Sequence, residues 1–182
     1  MKRTLTYSIL PLLLVLGMVG EAMALDGWRD RRGLFTGIML GGGSSKANTP
    51  GADSNLGYNF GVRIGGGISK VLTLDASLGL RLENYSNGPL DTSTQTYNIF
   101  LGANFFAYKG MYVRATGGIS QFGSETGSIE LDETGLGLGA GAGYEFFATS
   151  DLAVGIGGEF LYQKYDDFNI NVINFGISAT WY

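Results

Sequence analysis

The sequence predicts an all-β chain, closed into an eight-stranded antiparallel up-and-down transmembrane β-barrel. Three observations lead there. Apolar and polar residues alternate in steps of two, which gives each strand one oily and one polar face. Leu72, Leu74, Ala76, Leu78, Leu80 and Leu82 fall on one side, and Thr73, Asp75, Ser77, Gly79 and Arg81 on the other. Eight such segments follow a secretory leader. Short turns alternate with longer polar loops, as in barrels of bacterial outer membranes.

Residues 1–24 read as a cleaved signal peptide. Lys2 and Arg3 form the positive start, residues 9–16 the apolar centre, and Ala22-Met23-Ala24 a small-x-small cleavage site. The apolar stretch falls short of the roughly 20 residues a spanning helix needs. With no Cys in the chain, no lipid can be attached to a cysteine. Removing Lys2, Arg3 and Glu21 leaves ten basic and fifteen acidic side chains. That balance speaks against a nucleic-acid partner, which wants a basic face. Residues 25–32 are expected as a periplasmic N-terminal segment and 33–182 as the barrel.

No helical period persists after the leader, so the rest reads as strands and turns. The first strand covers 34–43, with Leu34, Ile38 and Leu40 on its oily face. The second covers 58–69 (Tyr58, Phe60, Val62, Ile64, Ile68) and the third 72–85. The fourth covers 94–106 (Tyr97, Ile99, Leu101, Ala103, Phe105) and the fifth 111–122 (Met111, Val113, Ala115, Ile119). The sixth covers 134–146 (Leu136, Leu138, Ala140, Ala142, Tyr144, Phe146). The seventh covers 152–163 (Leu152, Val154, Ile156, Phe160, Tyr162). The eighth covers 170–182 (Ile173, Phe175, Ile177, Ala179, Trp181). Each is long enough for the 9–11 tilted residues of a membrane strand. Short turns are expected at 69–71, 107–110 and 147–151, and longer outer loops at 44–57, 86–93, 123–133 and 164–169.

Three observations set the oily face toward lipid rather than toward a lipocalin-like ligand cavity. Every strand charge lies on the other face: Arg63, Asp75, Arg81, Glu83, Arg114, Glu145 and Glu159. A charge at the lipid midplane would cost about 2–4 kcal/mol. The same face is crowded with glycine, including alternate residues from Gly135 to Gly143, which leaves a narrow lumen room for a few large side chains. Tyr58, Tyr97 and Tyr162 gather at one end of the strands, and Phe105, Tyr144, Phe146 and Trp181 at the other, as interfacial girdles do.

This pattern resembles the small outer-membrane barrels of the OmpA/OmpX type over the whole mature chain. The likeness lies in strand number, loop alternation and the last strand. It implies an outer-membrane location after export through the periplasm, and lipid and lipopolysaccharide as surroundings. It also implies that the barrel assembly machinery reads the final strand, where Gly176, Ala179, Trp181 and Tyr182 stand. Trp181 is in phase with the oily face and Tyr182 is terminal but out of phase, so either can carry that signal. A monomer is expected, and the extracellular partner is left open.

The chemistry on offer is sparse. The chain has no His and no Cys. A Ser nucleophile therefore lacks its usual base, and zinc or copper lacks its favoured ligands. No enzyme activity, metal or cofactor is expected. The glycine run from Gly135 fits the dinucleotide fingerprint only loosely, and no helix follows it.

The lumen charge network is Arg63, Asp75, Arg81, Glu83, Arg114, Glu145 and Glu159. These must pair, because an unpaired buried charge is strongly unfavourable. They read as a structural plug, or as a gate if Arg81 exchanges Glu83 for Glu159. An acidic cluster, Glu130, Asp132, Glu133, Asp166 and Asp167, is expected in the outer loops. It reads as solvated loop tips, or as a site for divalent cations or a surface partner. The expected function is thus a structural, envelope-stabilising barrel with a largely plugged polar lumen. The alternatives are a narrow gated pore or small-molecule transporter, and a surface-interaction protein.

Overall fold

A computed structural model describes residues 30–49, 52–87, 90–126 and 129–182, with main chain alone at 85–87, 90–91, 126 and 129–130. The expected leader, and 25–29 of the segment after it, lie outside the described residues. Alternation drives eight strands: β1 (Gly33–Ala47), β2 (Ser54–Gly67), β3 (Leu72–Asn87), β4 (Leu90–Tyr108), β5 (Met111–Thr126), β6 (Ile129–Phe147), β7 (Leu152–Lys164) and β8 (Asn169–Trp181). Each pairs antiparallel with its neighbours in sequence, and β1 closes the ring against β8. Closure leaves no unpaired edge, which a sheet in lipid requires.

The outward side chains are the apolar ones. Leu34 is 83% exposed and Leu101 72%, whereas the inward Arg81 is 4% exposed and Asp75 5%. That inversion suits a barrel whose outer solvent is hydrocarbon.

The start of β1, the end of β8 and three tight turns sit at one end, called here the terminal end. Between β4 and β5 the turn is two residues long, with Lys109 at φ 42° and Gly110 at φ 90°. Positive φ at both positions matches the right-handed twist of a hairpin. The other two turns, 68–71 and 148–151, share one design. In each, two successive N–H groups donate to the carbonyl of the next strand's first residue, Leu72 or Leu152. In each, a hydroxyl, Ser69 or Thr149, accepts from the main chain two and three residues on, a hydroxyl turn.

The distal end departs from expectation. The loops expected at 86–93 and 123–133 are mostly strand. Hairpin β3–β4 pairs out to Asn87 and Leu90, and β5–β6 out to Thr126 and Ile129. Cross-strand pairing continues past the oily belt because it needs only main chain, and alternation falters there while pairing does not. The strand ends were therefore hidden in polar sequence.

Candidate functional site

Side chains fill the lumen from one end to the other. At the terminal end, Glu145 of β6 collects four donors. Arg31 Nε donates at 3.0 Å, Tyr182 OH at 2.9 Å, Arg63 Nη2 at 3.5 Å and Thr180 Oγ1 at 3.5 Å. Arg31 precedes β1 and is 1% exposed. Its guanidinium lies 3.8 Å from the Phe106 ring centre and 5.2 Å from that of Phe147, a cation–π seat. Gly67 makes this possible, since a Cβ there would sit 1.8 Å from the Arg31 carbonyl oxygen. Phe35, Phe147 and Tyr182 rings pack together to finish the floor. Outside that floor Arg32 holds the Asp30 carboxyl down at about 2.

At mid-height Asp75 and Arg114 form a two-pronged ion pair, both contacts at 2.7 Å, the geometry in which Arg binds a carboxylate most strongly. Asn104 ties the pair together. Its Nδ2 donates to Asp75 Oδ2 at 3.1 Å and its Oδ1 accepts from Arg114 Nη1 at 3.0 Å. The guanidinium fits because residue 102 is glycine, where a Cβ would stand 2.5 Å from Nη2. Above this level Arg81 binds Glu83, Asn174 Oδ1 at 2.6 Å and the Gly43 carbonyl at 3.0 Å. Glu83 also accepts from Ser45 at 2.8 Å. Glu159 differs from the rest. It accepts from Thr116 at 3.0 Å, and no described Lys or Arg nitrogen lies within 4.0 Å of it.

The distal end holds an apolar cluster beside the buried polar Ser45, Glu83, Thr92 and Thr94, where only polar filling was expected. Phe100, Leu161, Tyr165, Ile170 and Val172 cluster there, with Phe122 and Phe168 against them. The Tyr165 and Phe168 rings stack at 4.9 Å. Tyr165 shares a 2.7 Å hydrogen bond with Ser120, and Gln163 donates to Ser120 and Asn98, each at 2.8 Å. Glycines on the neighbouring strands supply the space. A Cβ on Gly137 would meet Phe100 at 2.5 Å, and one on Gly139 would meet Leu161 at 2.4 Å. Between this layer and the ion pairs lies a cavity of about 130 Å³, lined among others by Met39, Asn59, Arg63, Arg81, Tyr112 and Glu159.

The lumen charges expected from sequence all point inward, and six of the seven form three groups: Glu145 with Arg63, Asp75 with Arg114, and Arg81 with Glu83. Glu159 stands outside them, bonded to Thr116. Arg31 was missed, because nothing local distinguishes it from Arg32 beside it. Phe100, Phe122, Leu161, Ile170 and Val172 were also missed. Their signal was an apolar residue in the polar phase of a strand.

The acidic cluster does not assemble as expected. Asp132 and Glu133 are neighbours on β6, so they point to opposite faces. Asp166 and Asp167 are exposed in the connection 165–168, and the Glu130 side chain lies outside the described residues. Among the described residues no three acidic groups come close enough to hold a metal ion. In the last strand Trp181 is exposed on the oily face, Ala179 shares that face, and Gly176 and Tyr182 face inward.

Tyr165 gives a pH prediction. Burial pushes its hydroxyl up from about 10 to about 12. Between those values the unfolded chain binds fewer protons than the native one, so stability falls as pH rises. The contribution is complete below about pH 10 and fades toward about pH 12. Between about pH 9 and about pH 11, the urea midpoint of the wild type should drop further than that of Tyr165→Phe.

Comparison with known proteins agrees with the geometry. The family model described as the outer membrane protein beta-barrel domain matches residues 12–180. No curated protein matches the chain. Ail, the attachment invasion locus protein of Yersinia pestis, superposes with a TM-score of 0.58 at 16% identity, covering 81% of this chain and 98% of its own. It has also been solved with the heparin analogue sucrose octasulfate. Neisserial surface protein A superposes with a TM-score of 0.59 at 15% identity, covering 82% of this chain and 99% of its own.

Proposed function

Because this chain belongs to the outer membrane protein beta-barrel domain family, we propose that it serves as a structural barrel that stabilises the envelope, with a lumen plugged at both ends. One observation carries this reading. Arg31, Phe106 and Phe147 pack together at one mouth and Phe122, Tyr165 and Phe168 at the other, and paired charges occupy the lumen between them. The terminal end faces the periplasm and the distal end faces outward. The closed ring, with no free edge, favours a monomer. The last strand, through Gly176, Ala179, Trp181 and Tyr182, is the segment that the barrel assembly machinery reads. Lipid and lipopolysaccharide are the surroundings of the oily belt.

The test is single-channel conductance of the refolded mature chain in a planar bilayer. A folded barrel, shown by a heat-dependent gel shift, should stay silent. A second reading, a narrow gated path, has one observation in its favour. Arg81 and Glu159 line the same cavity, and Glu159 has no ion pair there among the described residues. Discrete conductance steps that change in Arg81→Ala would establish the gate and remove the plug.

A surface-interaction role has less support. Distal connections are short, and exposed Asp53, Asp132, Asp166 and Asp167 outnumber Lys46 and Lys164 there. A polyanion such as the one seen with Ail meets the wrong charge.

A further inference from the structure

The oily belt ends abruptly along β4, β5 and β6. Ile99, Ile119 and Leu136 form one row across these strands, all exposed. The next row toward the distal end is Tyr97, Gln121 and Thr134, and the next is Gln95, Gly123 and Asp132. Within one step the wall changes from hydrocarbon to polar. Such a step marks the height where acyl chains give way to headgroups, and tyrosine is the residue expected there.

At that border the outer wall is dented. A pocket of about 170 Å³ is lined by Gln95, Tyr97, Gln121, Gly123, Glu125 and Asp132. Gly123 forms the dent by lacking a side chain, since a Cβ there would reach within 3.0 Å of Asp132 Oδ1. The Tyr97 hydroxyl donates to Gln95 Oε1 at 3.0 Å, which ties the ring to the amide. None of this surface takes part in the lumen.

We propose that this pocket takes the sugar headgroup of a glycolipid in the leaflet around the barrel. A sugar offers hydroxyls that both donate and accept, together with apolar C–H faces. The Glu125 and Asp132 carboxylates accept from hydroxyls, and the Gln95 and Gln121 amides do both. The Tyr97 ring supplies a flat apolar surface with a polar tip. No Lys or Arg lines the pocket, so a phosphate finds no counter-charge there. The same lipid's acyl chains lie along the Ile99, Ile119 and Leu136 row beneath. The proposal rests on the distal end facing outward, as proposed above.

The probe is the core oligosaccharide of lipopolysaccharide, freed of acyl chains and phosphate. The readout is saturation-transfer NMR on the full barrel in phospholipid nanodiscs. Transfer to sugar protons is expected from the wild type. It should be lost both in Gly123→Leu, which fills the pocket, and in the double variant Gln95→Ala, Gln121→Ala, with the heat-dependent gel shift retained. No transfer from the wild type, or unchanged transfer in the folded variants, overturns the site. Transfer only from phosphorylated oligosaccharide with Mg²⁺ also overturns it, in favour of a metal-bridged phosphate. Orientation is tested separately. Asp166→Cys, in a chain without native cysteine, should react with a membrane-impermeant maleimide on intact cells. No labelling overturns the outward orientation, and with it the glycolipid source, even where the sugar binds.

Discussion

Glu145→Ala should destabilise the barrel by about 3–5 kcal/mol, the cost of breaking a buried ion pair from one side. Glu145 is 2% exposed and faces two guanidinium groups, on Arg31 and Arg63, that are themselves almost wholly buried. Taking the carboxylate away removes the counter-charge that both guanidinium groups share, in a space that water reaches poorly. Arg31 has an escape, because it precedes β1 and its segment can swing out of the mouth. Arg63 has none, because it is fixed in mid-strand on β2. The expected result is therefore twofold. Urea unfolding of the refolded protein should shift to lower concentration, and Arg31 should become open to solvent. The second effect is readable as trypsin cleavage after Arg31 in Glu145→Ala but not in the wild type. If Arg31→Ala in the Glu145→Ala background restored none of the lost stability, the repulsion between the two guanidinium groups would not be the cause.

Gly43→Val should prevent the barrel from closing. A Cβ at Gly43 would stand 1.9 Å from the Ile173 carbonyl oxygen and 2.8 Å from Asn174 Cα. Both atoms belong to the main chain of β8, so no side chain can turn aside to make room. A Cβ on Gly41 or Gly176 would crowd the same seam, at 2.2 Å and 2.5 Å from the facing carbonyl oxygens. Ordinary overpacking of a core costs about 1–3 kcal/mol. Here the conflict falls on the β1–β8 pairing that closes the ring, so the effect should exceed that range. The heat-dependent gel shift should vanish or the refolded fraction collapse. Gly79→Ala is the matched control. Its Cβ would meet Asn98 Cβ at 3.6 Å, an ordinary contact, and stability should change by less than about 1 kcal/mol. Equal behaviour of the two variants would mean that the close approach at the seam is not what forces glycine there.

These two predictions divide what could be read in the chain from what could not. The phase of each strand is local. Arg63, Asp75, Arg81, Glu83, Arg114, Glu145 and Glu159 could be assigned to the lumen because a charge on the oily face is too costly to keep. The partners of those charges are not local. They depend on the stagger between strands, which turns and closure set together and no single segment encodes. Asp75 meets Arg114 across two strand pairings, and Glu145 meets Arg63 across the lumen.

By itself the sequence determined the number of strands, the face that meets lipid, and the placing of charges inside. Period-two alternation carries all three, and it is written residue by residue. Only the tertiary structure decided how the lumen is filled. A phenylalanine in the polar phase, such as Phe100, is neither lipid-facing nor an error once Gly118 and Gly137, next to it in the same cross-strand row, leave space for its ring. Arg31 becomes the floor of the barrel only because Gly67, Phe106 and Glu145, far apart in sequence, converge beneath it. Steric room and counter-charge in a narrow closed ring are properties of all eight strands at once, and no window of the chain contains them.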